Sequence, residues 1–299
     1  MVIDTVVLEK GLNVEFMKAL DELHNKPWMK ELEALFLPTR SVASQEKYGF
    51  FGDLPAIKEW IGPKTAGSLK DYDFTIKNKD WYNAVELDRN ELEDDQTGLL
   101  KAKVEAVVQS LGTWKYDLLT SLIMNATTGL AYDSQPFFSD IVAGVRLNDN
   151  LLAGTGITLA QLQTDLGSVR AAMMKFQSDT GKKLGITPDT IVCAPELEVL
   201  MLQAVYSNLP GVAGEQIHNP LSRWIKAVMP LPDLTDPNDW YALCTTFVLK
   251  PFVFQERKAP TPVLDDSEVK KTRKLIFSGE MRGNAGYGLP QLAVKVVNT

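Results

Sequence analysis

The chain has 299 residues, 45% of them hydrophobic and 23% charged, with a formal net charge of −7. That composition supports a sizeable globular core and excludes a disordered chain. The acidic balance speaks against a module that grips nucleic acid, and the absence of a run of about 18 uncharged apolar residues leaves no candidate membrane span.

The N-terminus, MVIDTVVLEKGLNVEF, carries acids at Asp4 and Glu9 and no basic segment ahead of an apolar run, so no signal peptide is expected. Residues 13–36 read as a helical arm. Phe16, Leu20 and Leu23, then Leu32 and Leu35, recur at helical spacing, with Pro27 interrupting the arm and Pro38 ending it. Residues 39–92 are rich in aromatics, glycines and prolines without a sustained helical period. Within them Asp71–Lys77 and Asp80–Asp88 alternate apolar and polar residues on either side of Asn78-Lys79, which predicts a hairpin. A stretch of this length with so little helix is usually functional.

An acidic run, Glu91-Leu92-Glu93-Asp94-Asp95, precedes a long helix over Leu99–Met124, about 39 Å in length at about 1.5 Å per residue. Its apolar stripe is Leu100, Val104, Val107, Leu111, Leu118 and Leu122. A second long helix starts at Thr158, where Thr158 and Gln161 form a capping-box pattern; Leu159, Leu162, Leu166, Val169, Met173 and Phe176 form its stripe. A short strand at Thr190–Ala194 follows. Pro195 then opens another helix, with Glu196 and Glu198 in its first turn. Residues 207–240 read as loops. Strand patterns return at Ala242–Leu249, Phe252–Glu256, Leu275–Ser278 and Leu292–Val297. The order is that of an α+β protein.

Catalytic equipment is sparse. There are two histidines, His24 and His218, and no paired metal-ligand spacing. Cys193 and His218 are a conceivable thiol dyad, but Cys193 lies in the apolar string TIVCA, where cysteine behaves as a small buried hydrophobe. Asp179-Thr180-Gly181 matches the short aspartic-protease string once, at a predicted helix end where Gly181 serves as a cap. Gly283, Gly286 and Gly288 in RGNAGYGLPQ are out of order for a nucleotide fingerprint and read as a turn-rich strand connection. The carboxylates from Glu86 to Asp95 read as a solvated helix N-terminus ahead of a metal cage. Cys193 and Cys244 lack metal-type spacing and suit a reducing cytoplasm. No cofactor is expected.

YGFFGDLPAIKEWIG (48–62) and DYDFTIKNKDWYNAVELDRNELEDDQTG (71–98) resemble strings of the phage Mu-type major head subunit family. Lys58-Glu59-Trp60-Ile61-Gly62 stands for a "REWIG"-like string, and Asp94-Asp95-Gln96-Thr97-Gly98 closes the second. Tyr132-Asp133-Ser134-Gln135-Pro136-Phe137-Phe138 resembles the family's "YDGQ.FF", with Ser134 replacing the usual glycine; Phe277 through Gly288 resembles its C-terminal strand region. The resemblance implies the capsid fold named after phage Hong Kong ninety-seven. It assigns an N-terminal arm to 1–38, an extension hairpin loop to 39–92 and a peripheral domain with its spine helix to 93–145. An axial domain takes 146–244, and strands return to the peripheral domain at 245–299.

It also implies a structural role without catalysis: many copies, as pentamers and hexamers, would close an icosahedral head around double-stranded DNA touched without sequence specificity. That places the protein in the virion, assembled in the host bacterial cytoplasm. A portal and a separate scaffolding protein are the expected partners, because many relatives carry a cleaved scaffolding segment for which no room precedes this hairpin. Inter-subunit contacts are expected at Phe50, Phe51, Trp60, Trp81 and Tyr82, and between Glu93, Asp94 and Asp95 and the basic residues Lys270, Lys271, Arg273 and Lys274. Two other readings stand beside this one: a cellular nanocompartment shell enclosing a cargo enzyme, and a cytoplasmic thiol hydrolase using Cys193.

Overall fold

The computed structural model describes residues 5–51, 71–88, 99–142, 146–178, 181–210, 216–267 and 274–298. The predicted arm is two helices, α1 (Thr5–His24) and α2 (Pro27–Ala34), followed by strand β1 (Phe36–Arg40). Pro27 breaks the arm by starting the second helix, where its missing N–H costs nothing. The arm packs at home: Leu12, Phe16, Leu20 and Leu23 of α1 are buried against the long helix α3 (Leu99–Met124) and the sheet behind it.

That sheet has four strands in the order β1-β11-β12-β4, where β4 is Lys79–Asp88, β11 is Phe252–Asp265 and β12 is Lys274–Tyr287. β1 runs parallel to β11, and the other pairings are antiparallel. The described buried face of α3 comprises Val104, Val107, Val108, Leu111, Trp114, Leu119 and Ile123. Leu118 and Leu122, placed in the stripe by their spacing, lie only partly buried at its edge. The helix sits close on the sheet because Gly279 has no side chain: a Cβ there would meet Leu111 Cδ1 at 2.3 Å.

The predicted hairpin between Asp71–Lys77 and Asp80–Asp88 does not form. Both segments are strands, but β3 (Asp71–Lys77) pairs with β2 (Gln45–Phe51), and β4 pairs with β12. Only Asn78 separates β3 from β4, too few residues for a two-residue turn. Its N–H donates to Ser44 O at 3.0 Å, so the chain crosses there from one sheet to another.

A second sheet has the order β5-β13-β10-β6-β9, with β5 at Leu151–Ala153, β6 at Thr190–Cys193, β9 at Ala227–Pro230, β10 at Trp240–Leu243 and β13 at Ala293–Val297. Its inner strands β6 and β10 are buried on both faces. Alternate residues enter two cores: Val192, Tyr241, Leu243 and Ala293 face the core of the first sheet, while Ile191, Cys193, Trp240, Ala242, Val294 and Val296 face α4 (Leu159–Lys175) and α5 (Pro195–Tyr206). This is why β6 and β10 read as near-continuous apolar runs. The capping box holds at α4, where Gln161 Oε1 accepts from Thr158 N at 3.1 Å. Its stripe is buried from Leu162 to Phe176, and Leu159 is exposed.

Other strand expectations need correction. Residues 207–240 hold the short pair β7 (Leu209–Pro210) and β8 (Gln216–Ile217), a 3-10 turn at Pro220–Arg223 and the sheet-edge strand β9. Pro230 is tolerated because β9 is an edge strand. β11 and β12 are 14 residues each, far longer than their apolar alternation suggested. β11 loses its β1 partner after Glu256, so Pro260 and Pro262 sit on an edge with no strand partner among the described residues, with register shifts at Glu256/Lys258 and Lys258/Thr261. The RGNAGY string is not a turn but the end of β12; a Cβ on Gly283 would meet Gln255 O at 2.4 Å. Gly181 does not cap a helix. With φ +82° it turns a small loop whose N–H donates to Ser178 O at 2.9 Å, after α4 has ended at Lys175.

Candidate assembly interface

The β2–β3 ladder runs from Gln45↔Lys77 to Phe51↔Asp71. Its described apolar contacts with the body lie at one end, where Ile76, Tyr48 and Phe74 gather around Val253, with Leu37, Tyr132 and Leu289 beside them. Phe50 and Phe51 belong to β2; their side chains, and Trp60, Glu93, Asp94, Asp95, Lys270, Lys271 and Arg273, lie outside the described residues.

Register places Asp80, Tyr82, Ala84 and Glu86 of β4 on one face of the first sheet, opposite Arg282, Glu280, Ser278 and Ile276 of β12. Their neighbours Trp81, Val85 and Leu87 face α3. The outer face is a ladder of ion pairs: Arg282–Asp80 at 3.1 Å, Lys258–Glu280 at 3.2 Å and Lys274–Glu86 at 2.5 Å. Such exposed pairs contribute at most about 1 kcal/mol each. Tyr82 stands among them, 78% exposed.

The structure separates the expected contact residues. Tyr82 faces outward. Trp81 is held within its own subunit, 5.6 Å from Trp114 with its indole N–H donating to Gly283 O at 3.0 Å. Lys274 has an acid of its own chain, Glu86. Further exposed apolar groups include Val199, Leu202 and Tyr206 on α5 and Phe247 and Val248 in the loop after β10, with Val42, Leu130, Ile141 and Val142 elsewhere.

The dyad residues are apart in character. Cys193 is fully buried, and burial pushes its thiol up to about 12, away from the thiolate a nucleophile needs. His218 is exposed and bonds Ser222 Oγ at 3.1 Å. Asp179 lies outside the described residues. Among the described residues no group of three His, Cys, Asp or Glu side chains is placed to hold a metal, and no helix is long and apolar enough to cross a membrane.

Arg146 and Asn150, which no local sequence pattern marks, organise the segment around 132–138. Arg146 and Asp133 form a buried pair, Nε to Oδ2 at 2.7 Å, and Arg146 Nη1 donates to Pro136 O at 2.6 Å. Asn150 donates to Phe137 O at 2.9 Å and accepts from Ser139 N at 3.0 Å. Together they fix the segment that inserts Phe137 and Phe138 between the sheets, where Phe137 stacks on Tyr287 at 4.9 Å and Phe138 lies 5.6 Å from Tyr241.

This architecture is that of tailed-phage capsid subunits. A chain of the procapsid of bacteriophage JBD30 superposes with a TM-score of 0.53 over 97% of this chain and 74% of its own, at 21% identity. The chain belongs to the family of Mu-like prophage major head subunit gpT, whose model matches residues 6–144, 157–230 and 231–299. It is 24% identical over 258 residues to the Mu-like prophage FluMu major head subunit of Haemophilus influenzae, covering 85% of this chain and 62% of that one. It is also 24% identical over 253 residues to the major capsid protein of Escherichia phage Mu, covering 83% and 60%. The chain thus spans a little over three fifths of the length of the one relative and three fifths of the other.

Proposed function

We propose that the protein is the shell-forming subunit of a phage or prophage head, assembling through heterologous contacts into pentamers and hexamers that close around double-stranded DNA. The observation that carries this reading is the family match over residues 6–144, 157–230 and 231–299. The four-stranded sheet with α1 and α3 is its peripheral part, and the five-stranded sheet with α4 and α5 its axial part. The role is structural and uses no catalytic group; scaffolding and portal proteins are the further partners, and the virion is its destination. A nanocompartment shell is disfavoured by the same match.

The β2–β3 hairpin supports the reading. A two-stranded hairpin is marginal alone, and the described apolar packing holds one end of it. Phe50, Phe51 and Trp60 in the hairpin region, and Tyr82 on the open sheet face, are the contact aromatics of this proposal. The acids Glu93, Asp94 and Asp95 and the bases Lys270, Lys271 and Arg273 form its weaker polar contacts.

Alanine variants test it. Tyr82→Ala leaves the circular dichroism and melting of the subunit unchanged and weakens assembly by about 2 kcal/mol per contact. Trp81→Ala lowers the stability of the subunit itself. Normal particle yield from Tyr82→Ala combined with Trp60→Ala would remove these aromatics from the interface.

A further inference from the structure

Gln255 is an anomaly in β11. It is fully buried, and it follows Phe252, Val253 and Phe254, all buried apolar residues. A buried carboxamide is costly unless its polar atoms are matched. Here they are, and the partners lie at the base of the β2–β3 hairpin. Tyr48 of β2 donates its hydroxyl to Gln255 Oε1 at 2.7 Å. Gln255 Nε2 donates to Asn78 Oδ1, just past β3, at 2.6 Å. A longer contact of 3.4 Å runs from Nε2 to Ile76 O.

The bonds continue outward from those two residues. Tyr48 Oη lies 2.8 Å from Thr39 Oγ1 on β1. Asn78 Nδ2 donates to Ser41 Oγ at 2.7 Å and to Ala43 O at 2.8 Å. Glu46 Oε1 accepts from Val42 N at 2.7 Å and Ala43 N at 2.9 Å, which closes the turn that leads into β2. Asn284, opposite Gln255 on β12, donates to Lys77 O at 2.9 Å. Both places where the chain leaves the body for the hairpin, 41–44 and 78, are therefore tied to one side chain or its immediate partners.

We propose that Gln255 is the positioning residue of the hairpin: its buried carboxamide ties β2 and β3 to β11 and sets the direction in which the hairpin leaves the body. Apolar packing at the base, Ile76 on Val253, resists separation but has little directional preference. Hydrogen bonds constrain angle as well as distance, and a satisfied buried network specifies one arrangement. The inference deepens the reading of the hairpin as an inter-subunit element and rests on it for its consequence in assembly. The lock itself is a property of the single chain.

Hydrogen–deuterium exchange on the full chain tests it, with Gln255→Met and Tyr48→Phe. Met fills a similar volume without polar atoms, and Phe keeps the ring while removing the hydroxyl. Exchange of amides in 45–51 and 71–77 should rise about tenfold, as expected for loss of a hydrogen bond of ordinary strength, while α3, β6 and β10 keep wild-type protection. Unchanged hairpin protection in Tyr48→Phe would overturn the proposal, even if Gln255→Met did not fold. So would a loss of protection spread equally over α3, β6 and β10, which would make Gln255 a general core residue. A freed hairpin with wild-type shell yield would uphold the lock and defeat the inter-subunit reading of the hairpin.

Discussion

Ser134 has φ +62°, the only left-handed backbone among the described non-glycine residues. It occupies the position where the family string carries glycine. The left-handed region costs an L-residue about 1–2 kcal/mol, and glycine gives part of that back as extra chain entropy. Ser134→Gly is therefore expected to stabilise the subunit by up to about 1 kcal/mol in urea unfolding. A destabilised variant would show that the serine side chain has a compensating partner. Cys193 gives a second test at this scale. Burial, with the charge of Glu198 adding, holds its thiol above the ordinary 9.0, at about 12. Burial likewise raises Tyr287 to about 12. Both groups are neutral when protonated and titrate higher folded than unfolded. Their contribution to stability is complete below the unfolded values and is lost as pH rises towards about 12. From these two groups, unfolding free energy should be level from neutral pH up to about pH 9 and fall above it. Cys193 should resist a thiol reagent at about pH 8 until the chain is unfolded; labelling of the native protein at the rate of a free thiol would contradict its burial.

Among the elements, the loop after β10 is held by a buried acid. Asp189 is 3% exposed and accepts from Thr245 N at 2.9 Å, Thr246 N at 2.8 Å and Thr245 Oγ1 at 2.8 Å. These bonds bend the chain away from the sheet after Leu243 and leave Phe247 and Val248 outside. Asp189→Asn replaces one acceptor oxygen with a donor among donors, and is expected to cost about 2–3 kcal/mol in chemical denaturation; a loss below about 0.5 kcal/mol would mean that the loop is held by other means.

Sequence periodicity located the long helices well, because each lays a stripe on a core: the α3 bounds, Leu99–Met124, were legible from apolar spacing and the acids before them. Pairing was less legible. β3 and β4 have the alternation of strands, but which strand each meets depends on Asn78, whose partners are remote in sequence. β9 is too short and too rich in neighbouring loop residues to show a period. Gln255, Asp189, Arg146 and Asn150 act through bonds to groups remote in sequence, side chains for Gln255 and largely backbone for the others. Trp81 and Tyr82 were legible as a strand pair of aromatics; which of them faces the core is decided by the register of β4 on β12.

At the scale of the molecule, two cores lie on either face of the five-stranded sheet, and Phe137 and Phe138 fill the one it shares with the four-stranded sheet. The body is therefore well supplied with its own packing. Among the described residues, outward features include the ion-paired face around Tyr82, the exposed residues of α5 and the Phe247–Val248 loop. Separate outward surfaces of different composition suit heterologous contacts between many copies. Lone exposed apolar residues are ordinary, so the weight rests on assembly itself. Negative-stain electron microscopy of the purified chain across salt and pH is the most direct measurement. The account predicts closed shells, or pentamers and hexamers that convert to them. A monodisperse species of 33.2 kDa under every condition would contradict it.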